Sequence, residues 1–313
     1  MKLIIQIPCF NEEKTLKTTI DALPKYIEGI DQIETLIIDD GSTDKTVEIA
    51  KELGVIHIVS HGKNFGLAKA FTTGINKALE LGADIIVNTD ADNQYCAEDI
   101  EKLILPIISN DADIVIGARP VSTVKEFSPL KKLLQKFGSW VMRLISSAKV
   151  EDAPSGFRAF SRSAAMQLNI FDKYTYTMET IIQAKAKGLR IISVPIRVNP
   201  ELRKSKLVKN MFDYIFRSAI TMMRMFVIYR PFRFFTLIAG LFVFCGLILG
   251  GRFLYFYLNG AGSGHIQSLI LTAILLIIGF QVGMLAIIAE LLAMNRKLIE
   301  DVQRRIKQIE LRK

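Results

Sequence analysis

From Phe232 to Leu258 the chain is almost uninterrupted apolar sequence, FRFFTLIAGLFVFCGLILGGRFLYFYL, and from Ile266 to Met294 it is so again, IQSLILTAILLIIGFQVGMLAIIAELLAM. A helix needs about 20 apolar residues to cross the hydrocarbon core of a bilayer, and both runs are long enough. Lipid offers no partner to an open backbone hydrogen bond, so such runs cross as helices. The alternative is a pair of buried core helices, but soluble cores seldom use two such runs back to back.

The link between the runs, NGAGSGH, is short and uncharged. The two spans therefore form a tight hairpin with both open ends on one side. Arg224, Arg230 and Arg233 precede the first run; Arg296, Lys297, Arg304 and Arg305 follow the second. Lys and Arg mark the cytoplasmic side. The expectation is a two-span protein of the cell membrane whose N-terminal domain and C-terminal tail are both cytoplasmic. Arg252 and Glu290 lie near span ends, where long side chains reach an interface, so neither requires a transport role. The opening apolar stretch LIIQI is too short for a secretory leader. Cys9, Cys96 and Cys245 are scattered and odd in number, which suits neither a disulfide framework nor a zinc site and agrees with a reducing compartment.

Ahead of the hairpin the chain alternates. KLIIQI reads as a strand, NEEKTLKTTIDAL as a helix with Asn11 near its cap, ETLIID as a strand, and STDKTVEIAKEL as a helix capped by Ser42 or Thr43. VIHIVS, DIIVNT and DIVIGA continue as strands, with GLAKAFTTGINKALEL and AEDIEKLILPII as the helices between them. Near-continuous apolar strands separated by amphipathic helices predict an α/β domain, a mostly parallel, Rossmann-like sheet covered on both faces. Such sheets bind ligands beyond the carboxyl ends of their strands. The polar corners at those ends, PCFNEE, DDGSTD, DADNQY and ARP, should line one site.

No GxGxxG follows the first strand and no GxxxxGK[ST] occurs, which argues against a dehydrogenase-type dinucleotide site and excludes a P-loop. In DADNQY, Asp90, Asp92 and Gln94 bring two carboxylates and an amide to one loop. Oxygen donors of this kind suit a hard divalent cation, Mg2+ or Mn2+, that shares its shell with substrate phosphates. Aspartate also favours turns for backbone reasons alone; a second acidic corner at Asp39 and Asp40 strengthens the metal reading. Charge is divided along the chain: residues 1–110 carry net −8, residues 111–230 net +12 and residues 231–313 net +5. The acidic part can hold a cation, and the basic part can meet anionic lipid or a phosphate. No interleaved basic and aromatic motif points to nucleic acid as a partner.

Taken in order, IPCFNEE, IIDDGSTDKT, NFGLAKAFTTGI, DADNQY, SGFRAF and VPIRV resemble a family-2 inverting glycosyltransferase of GT-A fold. More closely, the chain resembles the polyprenyl-phosphate glycosyltransferases, the group that includes dolichyl-phosphate mannose synthase. The likeness covers residues 1 to about 210, and the two-span tail resembles members with a C-terminal membrane hairpin. The resemblance implies transfer of a sugar from a UDP- or GDP-linked nucleotide sugar to a polyprenyl phosphate, with a divalent metal. It implies that Pro8, Phe10, Glu12, Asp39, Asp40, Asp90 and Ala91 hold the nucleotide sugar, and that Asp90, Asp92 and Gln94 hold the metal. Arg119, Arg203, Ser205 and Lys206 match basic or polar positions near the diphosphate and the acceptor phosphate. Asp90, Asp92, Arg119 and Arg203 are thus the expected catalytic set. Three departures stand out. Phe10 stands where the family often has Tyr, and Tyr95 where it often has His. Lys131, Lys132 and Gln135 replace an Arg-xxx-Ser pair, which leaves Lys132 as the acceptor-side cation there.

A phosphate acceptor is already anionic near neutral pH, so it needs no general base. None is evident: His57 lies within a strand, and His61 and His265 are no better placed. The resemblance also implies that Asp152, Arg158 and Glu179 lie on the acceptor side; a sugar hydroxyl as acceptor would need a base, and Asp152 or Glu179 would be the candidate, with Arg158 paired to Asp152. Residues 130–147 and 207–230 each show one apolar helical face with Lys or Arg opposite, which fits helices at the bilayer surface or packing onto the sheet. The tail 295–313 carries an apolar stripe at Leu298, Val302, Ile306 and Ile309, suited to self-association as a homo-oligomer or to the membrane surface. The expected organisation is a catalytic domain over 1–206, a juxtamembrane helix over 207–230, a hairpin over 231–294 with spans at 232–258 and 266–293, and the tail. Two other functions compete: transfer to a glycolipid hydroxyl, and a non-catalytic membrane scaffold.

Overall fold

A computed structural model describes residues 1–120, 150–170, 176–200, 220, 223–224, 226–260 and 262–311. The expected interface helix 130–147 and most of the expected juxtamembrane helix lie outside the described residues. By internal contact the chain falls into two units, Met1–Met222 with Arg304–Lys313, and Met223–Gln303.

The first unit opens with the expected alternation: β1 (Lys2–Cys9), α1 (Leu16–Asp21), β2 (Gln32–Asp39), α2 (Thr46–Glu52), β3 (His57–Ser60), α3 (Leu67–Glu80), β4 (Ile85–Asn88), α4 (Ile100–Ile108) and β5 (Ile114–Ala118). It continues with β6 (Arg158–Ser161), α5 (Arg162–Gln167), α6 (Thr177–Ala186) and β7 (Ile191–Pro195). The seven strands form one sheet in the order β3-β2-β1-β4-β6-β5-β7. All are parallel except β6, which runs antiparallel between β4 and β5. The apolar runs behave as strands covered on both sides: Leu3, Ile4, Ile5 and Ile7 of β1, on alternate faces, are all fully buried. The parallel order turns the ends of β1, β2 and β4 to one edge, where the acidic corners follow.

β6 and β7 are not legible as strands in the sequence, because four- and five-residue segments carry too little periodicity. Helices α1 and α2 also begin later than their sequence patterns suggest. Asn11 adopts a left-handed φ of 55°, and its Oδ1 accepts the Thr43 amide at 2.8 Å. Ser42 Oγ accepts the Asn11 amide at 2.9 Å. The residues expected to cap these helices instead tie the loops after β1 and β2 together, and Asp44 Oδ1 receives the Thr46 amide at the start of α2, at 3.0 Å.

The second unit is built on α7 (Pro231–Leu258) and α8 (Ile266–Glu310). Both are long and apolar enough to cross a membrane, and only 6% and 17% of their most apolar windows are buried. That exposure is opposite to the behaviour of core helices. The residues of α8 that are buried, Thr272, Gly279, Ala286, Ala293 and Glu300, recur every seventh position, the period of a left-handed helix pair. A Cβ on Gly279 would lie 2.7 Å from Val243 Cγ2 and 3.2 Å from the Ala239 carbonyl oxygen, so glycine sets how closely α7 and α8 approach. The tail is no separate element but the continuation of α8. Its expected stripe, Leu298, Val302, Ile306 and Ile309, is exposed throughout, while Lys307 Nζ donates to Asn76 Oδ1 of α3 at 3.1 Å.

Candidate active site

The loop after β1 is held by its neighbour. The Glu12 amide donates to Thr46 Oγ1 at 2.8 Å, and Thr15 Oγ1 donates to the buried Glu12 carboxylate at 3.0 Å. Pro8 lies opposite Ile38, one residue before β1 ends at Cys9, and Phe10 emerges 39% exposed just beyond the strand. After β2, Asp39 accepts the Ser42 amide at 3.0 Å. Asp40 is engaged more heavily: it accepts the Phe65 amide at 3.0 Å and the Gly66 amide at 2.8 Å, and meets His61 Nδ1 at 2.7 Å. Gly41, at φ +76°, packs so closely that a Cβ would lie 2.6 Å from the Lys63 carbonyl carbon. Asp40 and Gly41 therefore clamp the loop 61–66, whose exposed Phe65 carries Lys63 Nζ over its ring at 5.3 Å. The sequence alone does not mark this aromatic, which lies within a helix-start motif.

Behind the second corner runs a buried polar chain. Gln6 Nε2 donates to Asn88 Oδ1 at 2.8 Å, and Asn88 Nδ2 donates to the Gly156 carbonyl and to Tyr176 Oη, both at 2.9 Å. The Gly156 amide donates to Tyr95 Oη at 3.1 Å, and the Tyr95 hydroxyl is hydrogen-bonded to Asp90. A Cβ on Gly156 would lie 3.0 and 3.1 Å from the two Asp90 carboxylate oxygens. β6 thus brings a glycine to the face on which Asp90 rests. Tyr95 stacks on Phe157 at 5.0 Å; burial and the Asp90 charge raise its pKa, so the phenol stays a neutral donor.

Burial first, and the Asp92 carboxylate second, push Asp90 up to about 7; Arg119 and the Tyr95 hydrogen bond pull it back, and Glu12 adds to the rise. Asp92 accepts the Gln94 amide at 3.1 Å. The loop is fastened from β7's continuation: the Asn199 amide donates to the Gln94 carbonyl at 2.8 Å, Asn199 Nδ2 donates to the Asn93 carbonyl at 3.0 Å, and Arg197 binds Asp99 through its amide at 2.6 Å and its Nε at 3.1 Å. Asn199, just past VPIRV, therefore clamps the acidic loop, and Arg197 within VPIRV holds the segment that follows it. Ala91 is buried, and its carbonyl accepts Thr19 Oγ1 at 3.0 Å.

Arg119 follows β5 and grips Asp152 in a fork, Nε to Oδ2 at 2.7 Å and Nη2 to Oδ1 at 3.1 Å. Burial opposes its charge, but the hydrogen bond to Asp152 and the Asp152 and Asp90 charges outweigh that and raise its pKa. Asp152 thus takes Arg119 in the fork expected of Arg158. Arg158 is instead a core residue, fully buried, donating to the carbonyls of Ser155 at 2.8 Å, Thr177 at 2.7 Å and Ala153 at 2.6 Å, and to Thr180 Oγ1 at 2.5 Å. Burial lowers its pKa to about 10, still charged at neutral pH. Glu179 is fully buried in the first turn of α6 and accepts Gln183 Nε2 at 3.1 Å. Lys132, Arg203, Ser205 and Lys206 lie outside the described residues.

Glu12, Asp90, Asp92, Tyr95, Arg119 and Asp152 form one electrostatic cluster at the strand ends. Among the described residues no three His, Cys, Asp or Glu side chains converge on a metal position. The Asp90–Asp92 pair still fits a divalent cation: the Asp92 charge raises the cost of ionising Asp90, which a cation held by these two hard oxygen donors would remove. The remaining donors would be Gln94, water and substrate phosphate.

Residues 4–169 match the glycosyl transferase family 2 profile. The chain is 38% identical over 213 residues, 61% of its length and 83% of the relative's, to a UDP-N-acetylglucosamine–dolichyl-phosphate N-acetylglucosaminyltransferase of Methanococcus voltae. It is 26% identical over 231 residues, 70% of its length and 86% of the relative's, to a polyprenol monophosphomannose synthase of Mycolicibacterium smegmatis. In fold it is similar to glucosyl-3-phosphoglycerate synthase of Mycobacterium tuberculosis, solved with Mn2+ and UDP. The TM-score is 0.56 at 18% identity, over 72% of this chain and 78% of that one.

Proposed function

Since the chain belongs to glycosyl transferase family 2, we propose that this glycosyltransferase moves one sugar from a UDP- or GDP-linked nucleotide sugar to a polyprenyl phosphate, with inversion, at the cytoplasmic face of the cell membrane. The carrying observation is the like-charge pair, Asp90 pushed up to about 7 beside Asp92 at the carboxyl end of β4. Mg2+ or Mn2+ held by Asp90, Asp92 and Gln94 would neutralise charge on the departing diphosphate. Pro8, Phe10, Glu12, Asp39 and Ala91 frame the nucleotide, and Asp40 holds the loop beside it. Arg119, braced by Asp152, turns a fixed positive charge toward Asp90 and the donor phosphates. Lys132, Arg203, Ser205 and Lys206 supply contacts for the acceptor phosphate.

In this reaction an acceptor phosphate oxygen forms a bond to the anomeric carbon while the bond to the donor diphosphate breaks, and the nucleoside diphosphate leaves. The acceptor arrives ionised, so no side chain has to remove a proton. Two engaged carboxylates support this over a hydroxyl acceptor. Asp152 is taken by Arg119, and Glu179 is buried and bonded to Gln183; neither is free to serve as a base.

A screen of UDP- and GDP-sugars against a short polyprenyl phosphate, with and without EDTA, tests the reading. Metal-dependent formation of one acid-labile sugar-phosphate lipid is the expected result. Transfer only to glycolipid hydroxyls, or a rate unchanged by EDTA, would refute it. The sidedness has its own test: a cysteine replacing Asn259 should label only from outside the cell, and one replacing Gln308 only from inside.

A further inference from the structure

A cavity of about 460 Å3 lies in the second unit, lined by Tyr229, Arg230, Phe232 and Arg233 around the start of α7 and by Glu290 of α8. Its volume is within the range of small-ligand pockets. Its charges are arranged differently from those of the catalytic cluster. Arg119 and Asp152 close on each other, but among the described residues neither Arg230, Arg233 nor Glu290 has an oppositely charged group within 4.0 Å, although both signs line one space. Arg296 adds a third positive charge nearby: its guanidinium lies over the Tyr229 ring at 4.2 Å, and its Nε and Nη1 are buried without a hydrogen bond. Its nearest carboxylate oxygen is on Glu300, at 3.6 Å, so it does not neutralise Glu290.

The position narrows the ligand. Arg230 and Arg233 flank the first residues of one apolar run, and Glu290 lies close to the end of the other. On the reading that α7 and α8 cross a bilayer, this is the depth of lipid headgroups, and Phe232, 48% exposed, offers the adjoining apolar surface. Two arginines that take no carboxylate among the described residues suit a phosphate. A glutamate that takes no arginine suits a cation that donates hydrogen bonds. Opposite charges that share a cavity without meeting leave room for a group that carries both.

We propose that this cavity binds the headgroup of a zwitterionic aminophospholipid, its phosphate on Arg230 and Arg233 and its primary ammonium on Glu290. A choline headgroup has no N–H to give Glu290. A glycerol headgroup has no cation to give, and its net charge meets Glu290 unfavourably. A polyprenyl phosphate offers a phosphate alone. The site is therefore distinct in chemistry from the one that takes the acceptor.

The test reads binding and not sugar transfer, so its failure is separable from failure of the proposed reaction. The full chain in detergent is titrated with phosphatidylethanolamine, phosphatidylcholine and phosphatidylglycerol of identical acyl chains, and with a short polyprenyl phosphate. Bound lipid is counted by native mass spectrometry. Phosphatidylethanolamine should be retained several-fold better than either other phospholipid. Arg230→Gln and Arg233→Gln should each lower its retention about fivefold, with Arg230→Lys and Arg233→Lys keeping most of it. Glu290→Gln should erase the preference for phosphatidylethanolamine over phosphatidylcholine. Equal retention of those two lipids by the unaltered chain overturns the proposal, as does phosphatidylglycerol binding as well as phosphatidylethanolamine. So does displacement of phosphatidylethanolamine by polyprenyl phosphate, which would assign the cavity to the acceptor. Lysine variants as weak as the glutamine ones would show that structure, and not charge, had been lost.

Discussion

DDGSTD after β2 and DADNQY after β4 look alike in the sequence, and both end strands that flank β1, yet their carboxylates are used in opposite ways. Asp40 is almost fully buried and satisfied: two backbone amides and His61 surround it. Asp90 is crowded by a second carboxylate and held up at about 7. One acidic corner spends its charge on holding a loop. The other sets two carboxylates against each other, which fits the metal proposed for it. A carboxylate's neighbours, and not its motif, decide which of these it is.

Removing one charge from each corner separates the two uses. Asp92→Asn should lower transfer at least about a hundredfold, the loss of a strong electrostatic contact made at the reacting phosphate, while thermal melting stays near that of the unaltered chain. Asp40→Ala should do the reverse in kind, destabilising the fold by about 2–3 kcal/mol through loss of charge-assisted hydrogen bonds to buried amides, read as a lower midpoint in denaturant. If Asp40→Ala melted normally and only lost activity, the two corners would be equivalent after all.

A smaller effect tests the surface on which Asp90 rests. Gly156→Ala places a methyl 3.0 Å from an Asp90 oxygen, so the carboxylate must shift by a few tenths of an ångström. Transfer should fall about tenfold, the scale of a modest misplacement at a reacting centre, with tighter dependence on metal concentration. Unchanged metal dependence would remove Gly156 from the positioning of Asp90.

The least effect is on stability, and its sign follows from protonation. Asp90 holds its proton up to about pH 7 in the folded chain, against 3.8 for an ordinary aspartate. The folded state binds that proton more tightly, so this contribution is present below about pH 4 and is lost as pH rises to about 7. Asp90→Asn should therefore raise Tm by a few degrees at pH 8 without metal, give no gain at pH 4, and lose its advantage when excess Mn2+ is added. A lower Tm at pH 8 would show that Asp90 is stabilised in place.

Much of this was legible along the chain because it rests on local patterns. The apolar runs 232–258 and 266–294 need only length and composition, and β1 to β5 with their helices need only periodicity. The acidic corners follow, since a parallel sheet puts all its strand ends on one edge. The remainder depended on which distant segments meet. β6 pairs antiparallel with β4, Asn88 against Arg158, and that pairing alone brings Gly156 to Asp90 and buries Arg158. Asp152 goes to Arg119, 33 positions away, and not to the nearer Arg158, because β6 carries Arg158 into a core of carbonyl acceptors. Tyr95 reads as a family departure in the sequence; only the folded chain sets its hydroxyl between the Gly156 amide and Asp90. The seven-residue stripe of α8 is hidden among residues that are nearly all apolar, and it becomes visible where α7 covers one side. Local pattern fixes what an element is, whereas the partner of a buried polar group depends on long-range pairing that no window of sequence contains.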